Sequence, residues 1–296
     1  MPRIARMVVR GEPTVYHVIS RSALDGYALE KKDKDFLLGT IIWLSKIYFV
    51  EVFGFCIMGN HFHLLVKMHV GDEFSEKEIQ ARYSRFYEDK TKNLLSKDQI
   101  KMFRNKWANL SEYVREIKQR FSRYYNKAYK RKGFFWAERF RSVIVDKGET
   151  LINCLAYVDL NPVRAGLVEK PELYRWCSLG YHAETKNKEA FLSLDFGLKE
   201  FGVKRTEERF KYYLKYVYQK GGLAKDKGKN SGSADSLERF RHRTRYFSDS
   251  GIIGDKEFVE KVYSGFKGYF TSRHAKKPRA IRGLEGVYSL KRLSEK

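Results

Sequence analysis

In the stretch GNHFHLL, Gly59 to Leu65, two histidines stand one residue apart inside an otherwise apolar run. Side chains alternate along a strand, so His61 and His63 share one face while Phe62, Leu64 and Val66 take the other. The second set reads as a core face, the first as a surface built to hold something. Two imidazoles at i and i+2 form a clamp for a divalent cation when a third ligand and substrate oxygens complete its sphere. The same spacing also suits two ordinary half-buried strand histidines.

A second stretch, LAYVDLNPVRAGLV from Leu155 to Val168, offers a nucleophile. Tyr157 and Asn161 are four apart, on one face of a terminal helical turn, while Leu155 and Val158 face the core. A phenol and a carboxamide side by side could face the two histidines across a cleft. The competing reading makes Tyr157 a core aromatic and Asn161 a cap, since a residue before proline is pushed out of the helical region. Tyr124 and Tyr125 lie on a basic helix and are alternative nucleophiles, otherwise suited to packing or to stacking on bases. Asp159, two positions from Tyr157, points elsewhere, and His17 reads as a core or edge histidine of the first strand, with a metal role as the lesser alternative.

These groups need elements to position them. TVYHVISRS (14–22) is β-branched and aromatic, a first strand. A helical period follows through Phe36, Leu37, Ile41, Leu44 and Ile47. Strands over 49–58 and 61–68 form a hairpin about Met58-Gly59-Asn60. Residues 71–106 are charged and roughly helical. Residues 110–131 form an amphipathic helix with Tyr113, Ile117 and Phe121 inward, whose segment Arg115 to Lys132 carries eight Lys or Arg against one Glu. Residues 134–146 read as a fourth strand, and 148–162 as a helix closed by Pro162. The order β-α-β-β-α-β-α predicts an α+β fold, a ferredoxin-like antiparallel sheet with helices on one face. The expected division is a first domain over 1–185 and a basic, partly helical extension over 186–296, with a flexible segment near 224–236.

The chain has 296 residues, 59 Lys+Arg against 36 Asp+Glu, and a formal net charge of +23, which calls for a polyanionic partner, nucleic acid first. Apolar residues reach 43% and aromatics 15%, so the chain folds rather than remaining disordered. The three cysteines, Cys56, Cys154 and Cys177, read as buried thiols of a reducing, cytoplasmic compartment. No membrane-length apolar run and no Walker-type nucleotide motif is present, so neither a membrane nor a nucleotide cofactor is expected. Candidate DNA contacts are Arg115, Lys118, Arg120 and Arg123 on the long helix, Arg139 and Arg141 beside the fourth strand, and Arg164 after the tyrosine.

MGNHFHLLV together with YVDLNPVRAGLV resembles the single-tyrosine HUH transposases, especially the branch of REP-associated tyrosine transposases. YHVISRS and GFFWAERFRSVIVD extend the resemblance over about Thr14 to Tyr181. It implies a metal-dependent endonuclease and strand transferase acting on single-stranded or hairpin DNA through a 5′-phosphotyrosine intermediate. By position, His61 and His63 match the pair that binds Mg²⁺ or Mn²⁺, and Tyr157 matches the nucleophile. Asn161 falls where the family places a polar third ligand, often glutamine. Relatives include dimers and monomers, which leaves a homodimer open. The alternative is a non-catalytic or domesticated binder of single-stranded or hairpin nucleic acid, although no Gly-rich aromatic RNA-binding motif is found.

Overall fold

The computed structural model describes residues 7–88, 94–187, 190–195, 198, 202–223, 246–267, 277–281 and 284–291. Its elements run β1 (Thr14–Arg21), α1 (Lys31–Ser45), β2 (Val50–Ile57), β3 (His61–Met68), α2 (Glu76–Tyr87), α3 (Lys97–Trp107), α4 (Leu110–Ala128), β4 (Arg141–Val145), α5 (Glu149–Asp159), α6 (Asn161–Arg164), α7 (Ser178–Thr185) and α8 (Thr206–Lys220). A helical turn at Tyr246–Asp249, β5 (Ser250–Gly254), a helix at Lys256–Phe266, β6 (Arg279–Ala280) and β7 (Tyr288–Lys291) follow.

The seven strands form one sheet in the order β2-β3-β1-β4-β5-β7-β6, antiparallel except where β5 runs parallel to β4. The first four strands have the expected ferredoxin-like order. The sheet then continues past residue 186: Ile144 and Val145 of β4 pair with Ile252 and Ile253 of β5. The segment near 224–236 lies outside the described residues.

The helices divide between both faces of the sheet rather than occupying the one face expected. Phe62 meets Trp136 edge-on at 5.4 Å, and Trp136 packs on Phe121 of α4. His63, one residue on and therefore on the opposite face, meets Tyr157 of α5 at 5.7 Å. Both faces of β3 are thus covered, as an apolar strand of this kind requires.

Two glycines set the close approaches. A Cβ on Gly59 would lie 2.3 Å from the Tyr27 ring, so only glycine lets the 21–30 connection close over the β2–β3 turn beside His61. A Cβ on Gly54 would lie 2.3 Å from Leu155, so glycine brings α5 down onto β2.

Three boundaries differ from expectation. β4 covers only Arg141–Val145, because Phe135 and Trp136 are both buried while Phe134 is exposed, a pattern that breaks strand alternation. α5 ends at Asp159, and Pro162 opens α6 instead of closing a helix; in a first turn its missing N–H costs nothing. The 71–106 stretch resolves into α2 and α3, each started by a serine capping box at Ser75 and Ser96. Among the described residues no helix is long and apolar enough to cross a membrane, and Cys56, Cys154 and Cys177 are free and buried.

Candidate active site

The odd-numbered side chains of β1 and β3 share the α5 face, because Ile19 lies opposite His63 and His17 opposite Leu65. His17 Nε2 stands 3.0 Å from His63 Nδ1, and His17 Nδ1 stands 2.7 Å from the carbonyl oxygen of Phe247. A carbonyl can only accept, so His17 carries its proton on Nδ1 and presents a bare Nε2. His63 therefore donates from Nδ1, which leaves its own Nε2 as a lone pair. His61 reaches the same state by a different route, its Nδ1 lying 2.7 Å from Asn60 Oδ1.

Burial holds all three rings neutral. It pushes His17 down to about 4, against the Phe247 carbonyl. It pushes His61 to about 4 as well, helped by the positive charges of Arg21 and Arg164. His63 lies well below the usual range through burial and then the neighbouring His61 and His17. Two neutral imidazoles with bare Nε2 atoms can each give a lone pair to a divalent cation, with oxygen ligands completing its sphere.

Tyr157 comes from the last turn of α5. Its ring is T-shaped to both His17 and His63 at 5.7 Å, and its hydroxyl lies 3.0 Å from Ser248 Oγ. The Arg164 guanidinium stacks over the same ring at 4.0 Å and donates to the Tyr157 carbonyl and to Asn161 Oδ1, the latter at 2.6 Å. Asn161 Nδ2 donates in turn to the carbonyls of Tyr157 and Val158. Asn161 thus braces the α5–α6 junction, and only the second lone pair of Oδ1 is left for a ligand.

These groups open into one cleft of about 460 Å³, lined by His61, His63, Tyr157 and Asn161, with Arg21, Arg139 and Arg141 at its edge. The histidine pair and the tyrosine, read from separate stretches, are brought together. Among the described residues no cluster of three His, Cys, Asp or Glu side chains suited to a metal is found.

The remaining sequence candidates fall in three places. Arg115, Lys118, Arg123 and Arg139 line a groove beside α4 that meets the cleft. Arg120 turns away, paired with Glu116 and lying over Trp43. Arg164 is engaged with Tyr157 and Asn161 inside the protein instead of being held out for phosphate. The structure does not bring Tyr124 or Tyr125 to the histidines: on α4 their hydroxyls bond Asp33 and the Ala28 carbonyl, and burial raises both phenols. Asp159 points away from the cleft, as expected, accepting from Tyr213 and the Leu179 amide; burial lifts its carboxyl to about 6.

No protein-family model and no curated protein matches the chain. Among solved structures, the chain is similar to a REP-associated tyrosine transposase bound to a REP hairpin. The identity is 14% and the TM-score 0.42, over 65% of this chain and 92% of the other. The relationship is a distant one.

Sequence reasoning missed His17 as a partner of His63, and it missed Phe247, Ser248 and Arg21. The parity of His17 with Ile19 was a usable signal once β1 and β3 are paired. Ser248, 91 residues beyond Tyr157 and in no motif, gave none.

Proposed function

We propose that this chain is a metal-dependent single-strand DNA endonuclease and strand transferase, with Tyr157 as the nucleophile. One observation carries the reading: two neutral imidazoles with bare Nε2 atoms share a cationic cleft with a tyrosine hydroxyl. His61 and His63 would hold Mg²⁺ or Mn²⁺, with Asn161 Oδ1 as a weaker oxygen donor. When bound, such an ion polarises a phosphoryl oxygen and offsets the charge that repels a nucleophile from a phosphodiester.

The protein's own groups do the rest. Arg164 fixes the Tyr157 ring from one side and Ser248 Oγ holds its hydroxyl, so the oxygen is presented in one orientation. Attack forms the tyrosine O–P bond, breaks the bond to the 3′ oxygen and leaves that strand with a free 3′-OH. The phosphotyrosine conserves the bond energy, so another 3′-OH can resolve it without a nucleotide cofactor. Arg21, Arg139 and Arg141 supply the positive rim for the DNA backbone.

The test is a cleavage assay on labelled single-stranded hairpins with Mn²⁺ or Mg²⁺, scored for covalent protein–DNA adducts on denaturing gels. Wild type, Tyr124→Phe and Tyr125→Phe are expected to form the adduct, and Tyr157→Phe and His61→Ala to lose it. An adduct with Tyr157→Phe would move the nucleophile elsewhere. Binding by wild type without cleavage of any hairpin would favour the non-catalytic binder.

A further inference from the structure

Beside α4 runs a groove of about 830 Å³ between the helix and the 133–140 loop. It meets the candidate active-site cleft at a shared stretch of wall, Glu138 and Arg139. Four cationic side chains, Arg115, Lys118, Arg123 and Arg139, line it against two acidic ones, Glu112 and Glu138. At its margin Phe134 stands 89% exposed.

That exposure is built into the loop. Gly133 takes φ +94, a conformation favouring glycine, and its carbonyl is held by Asn126 Nδ2 at 2.9 Å. On the other side Phe135 and Trp136 are buried, and the Trp136 indole donates to the Lys118 carbonyl. Lys118 Nζ then donates to the Glu138 carbonyl, a second staple between helix and loop. With both neighbours fastened, Phe134 is left outside the core, and an apolar ring held in water beside cations is a platform for a flat partner.

Resting on the function proposed above, we infer that this groove carries the single-stranded arm beside the scissile bond, with one base stacked on Phe134. Arg123 and Arg139 track the phosphates, while Arg115 is paired with Glu112 and Lys118 fastens the loop, and Glu138–Arg139 marks where the strand passes from groove to cleft. A stacking contact of this kind tolerates any base, so the subsite contributes affinity for unpaired DNA and does not read its sequence.

The test uses the full chain in EDTA, so that binding is separated from cleavage. The probe is a stem–loop with oligo-dT arms of about eight nucleotides, carrying 2-aminopurine at one arm position at a time. Wild type is expected to quench one arm position; Phe134→Ala abolishes that quenching and weakens the armed probe about tenfold or more, while Phe134→Trp restores both. The blunt stem–loop without arms binds equally to all three. If Phe134→Ala quenches and binds the armed probe like wild type, yet still forms the Tyr157 adduct with metal, the subsite is wrong and the enzyme reading stands. If wild type binds no probe, both fall together.

Discussion

The imidazole Nε2 of His17 on β1 lies 3.0 Å from Nδ1 of His63 on β3, the two rings stacked 15° from parallel. With the Phe247 carbonyl behind it, His17 decides which nitrogen of His63 carries the proton. His17→Leu is therefore expected to release His63 into a mixture of tautomers, visible in nitrogen-15 spectra of the metal-free protein. It leaves a buried N–H without an acceptor, at about 1–3 kcal/mol, and Mn²⁺ affinity by calorimetry should fall about 10–100-fold. If His63 keeps its proton on Nδ1 in the variant, His17 is a packing residue only.

Arg164 joins three things that must stay aligned: the Tyr157 ring, the Tyr157 carbonyl and the Asn161 amide. Lysine cannot stack its charge flat on the ring while also reaching both oxygens. Arg164→Lys is expected to cost about 1–3 kcal/mol of stability in urea and to slow adduct formation more than it weakens hairpin binding. Equal losses in rate and affinity would instead make Arg164 a DNA contact.

Much of this site was legible in advance. The alternation HFHLLVKM and the Gly59-Asn60 turn mark β3 to the residue, because short-range rules fix both ends. The Leu155–Val168 motif and its helical spacing single out Tyr157 as a candidate, and the fold sets its ring beside His17 and His63. The partners were not, because they depend on long-range pairing. His17 acquires its role only through the β1–β3 register, and Phe247 and Ser248 only because β5 joins β4. The 134–140 stretch misled for a local reason: three consecutive aromatics look like a strand, but here two plug the α4 cluster and one is left out.

Acid should destabilise the fold in a defined window. His17, His61 and His182 are each held at about 4 by burial, and His63 well below the usual range. A histidine with a depressed folded pKa stays neutral in the native state while the unfolded chain takes up protons near 6.5. Its contribution is complete above pH 6.5 and is lost as pH falls toward 4, on the order of 3 kcal/mol for the fully buried His17. Asp159, raised to about 6, runs the other way: its contribution is present at low pH and lost as pH rises through 6. Burial raises the Asp146 carboxyl as well, in the same direction as Asp159; four histidines still outweigh two carboxyls, so urea midpoints should drop steeply from pH 6.5 to 4.5. A flat profile over that window would mean the histidines titrate normally.

The segment from Tyr246 onward is expected to be required for the fold and the chemistry, although the candidate DNA contacts Arg115, Lys118, Arg123, Arg139 and Arg141 all precede it. β5 covers the edge of β4, where Ile252 and Ile253 are fully buried, each contributing about 1.5–3 kcal/mol. The Ile253 carbonyl accepts from the Asp146 amide, and Asp146 Oδ2 accepts from the Asp255 amide. Ending the chain at residue 245 opens that edge to aggregation. It also removes the carbonyl that anchors His17 and the hydroxyl that holds Tyr157. The truncated chain should melt well below wild type and form no adduct with hairpin DNA. Ser248→Ala separates the two effects, since it leaves the sheet intact: its melting temperature should match wild type while adduct formation slows. A truncated chain that melts like wild type and reacts at full rate would reduce the segment to an appendage.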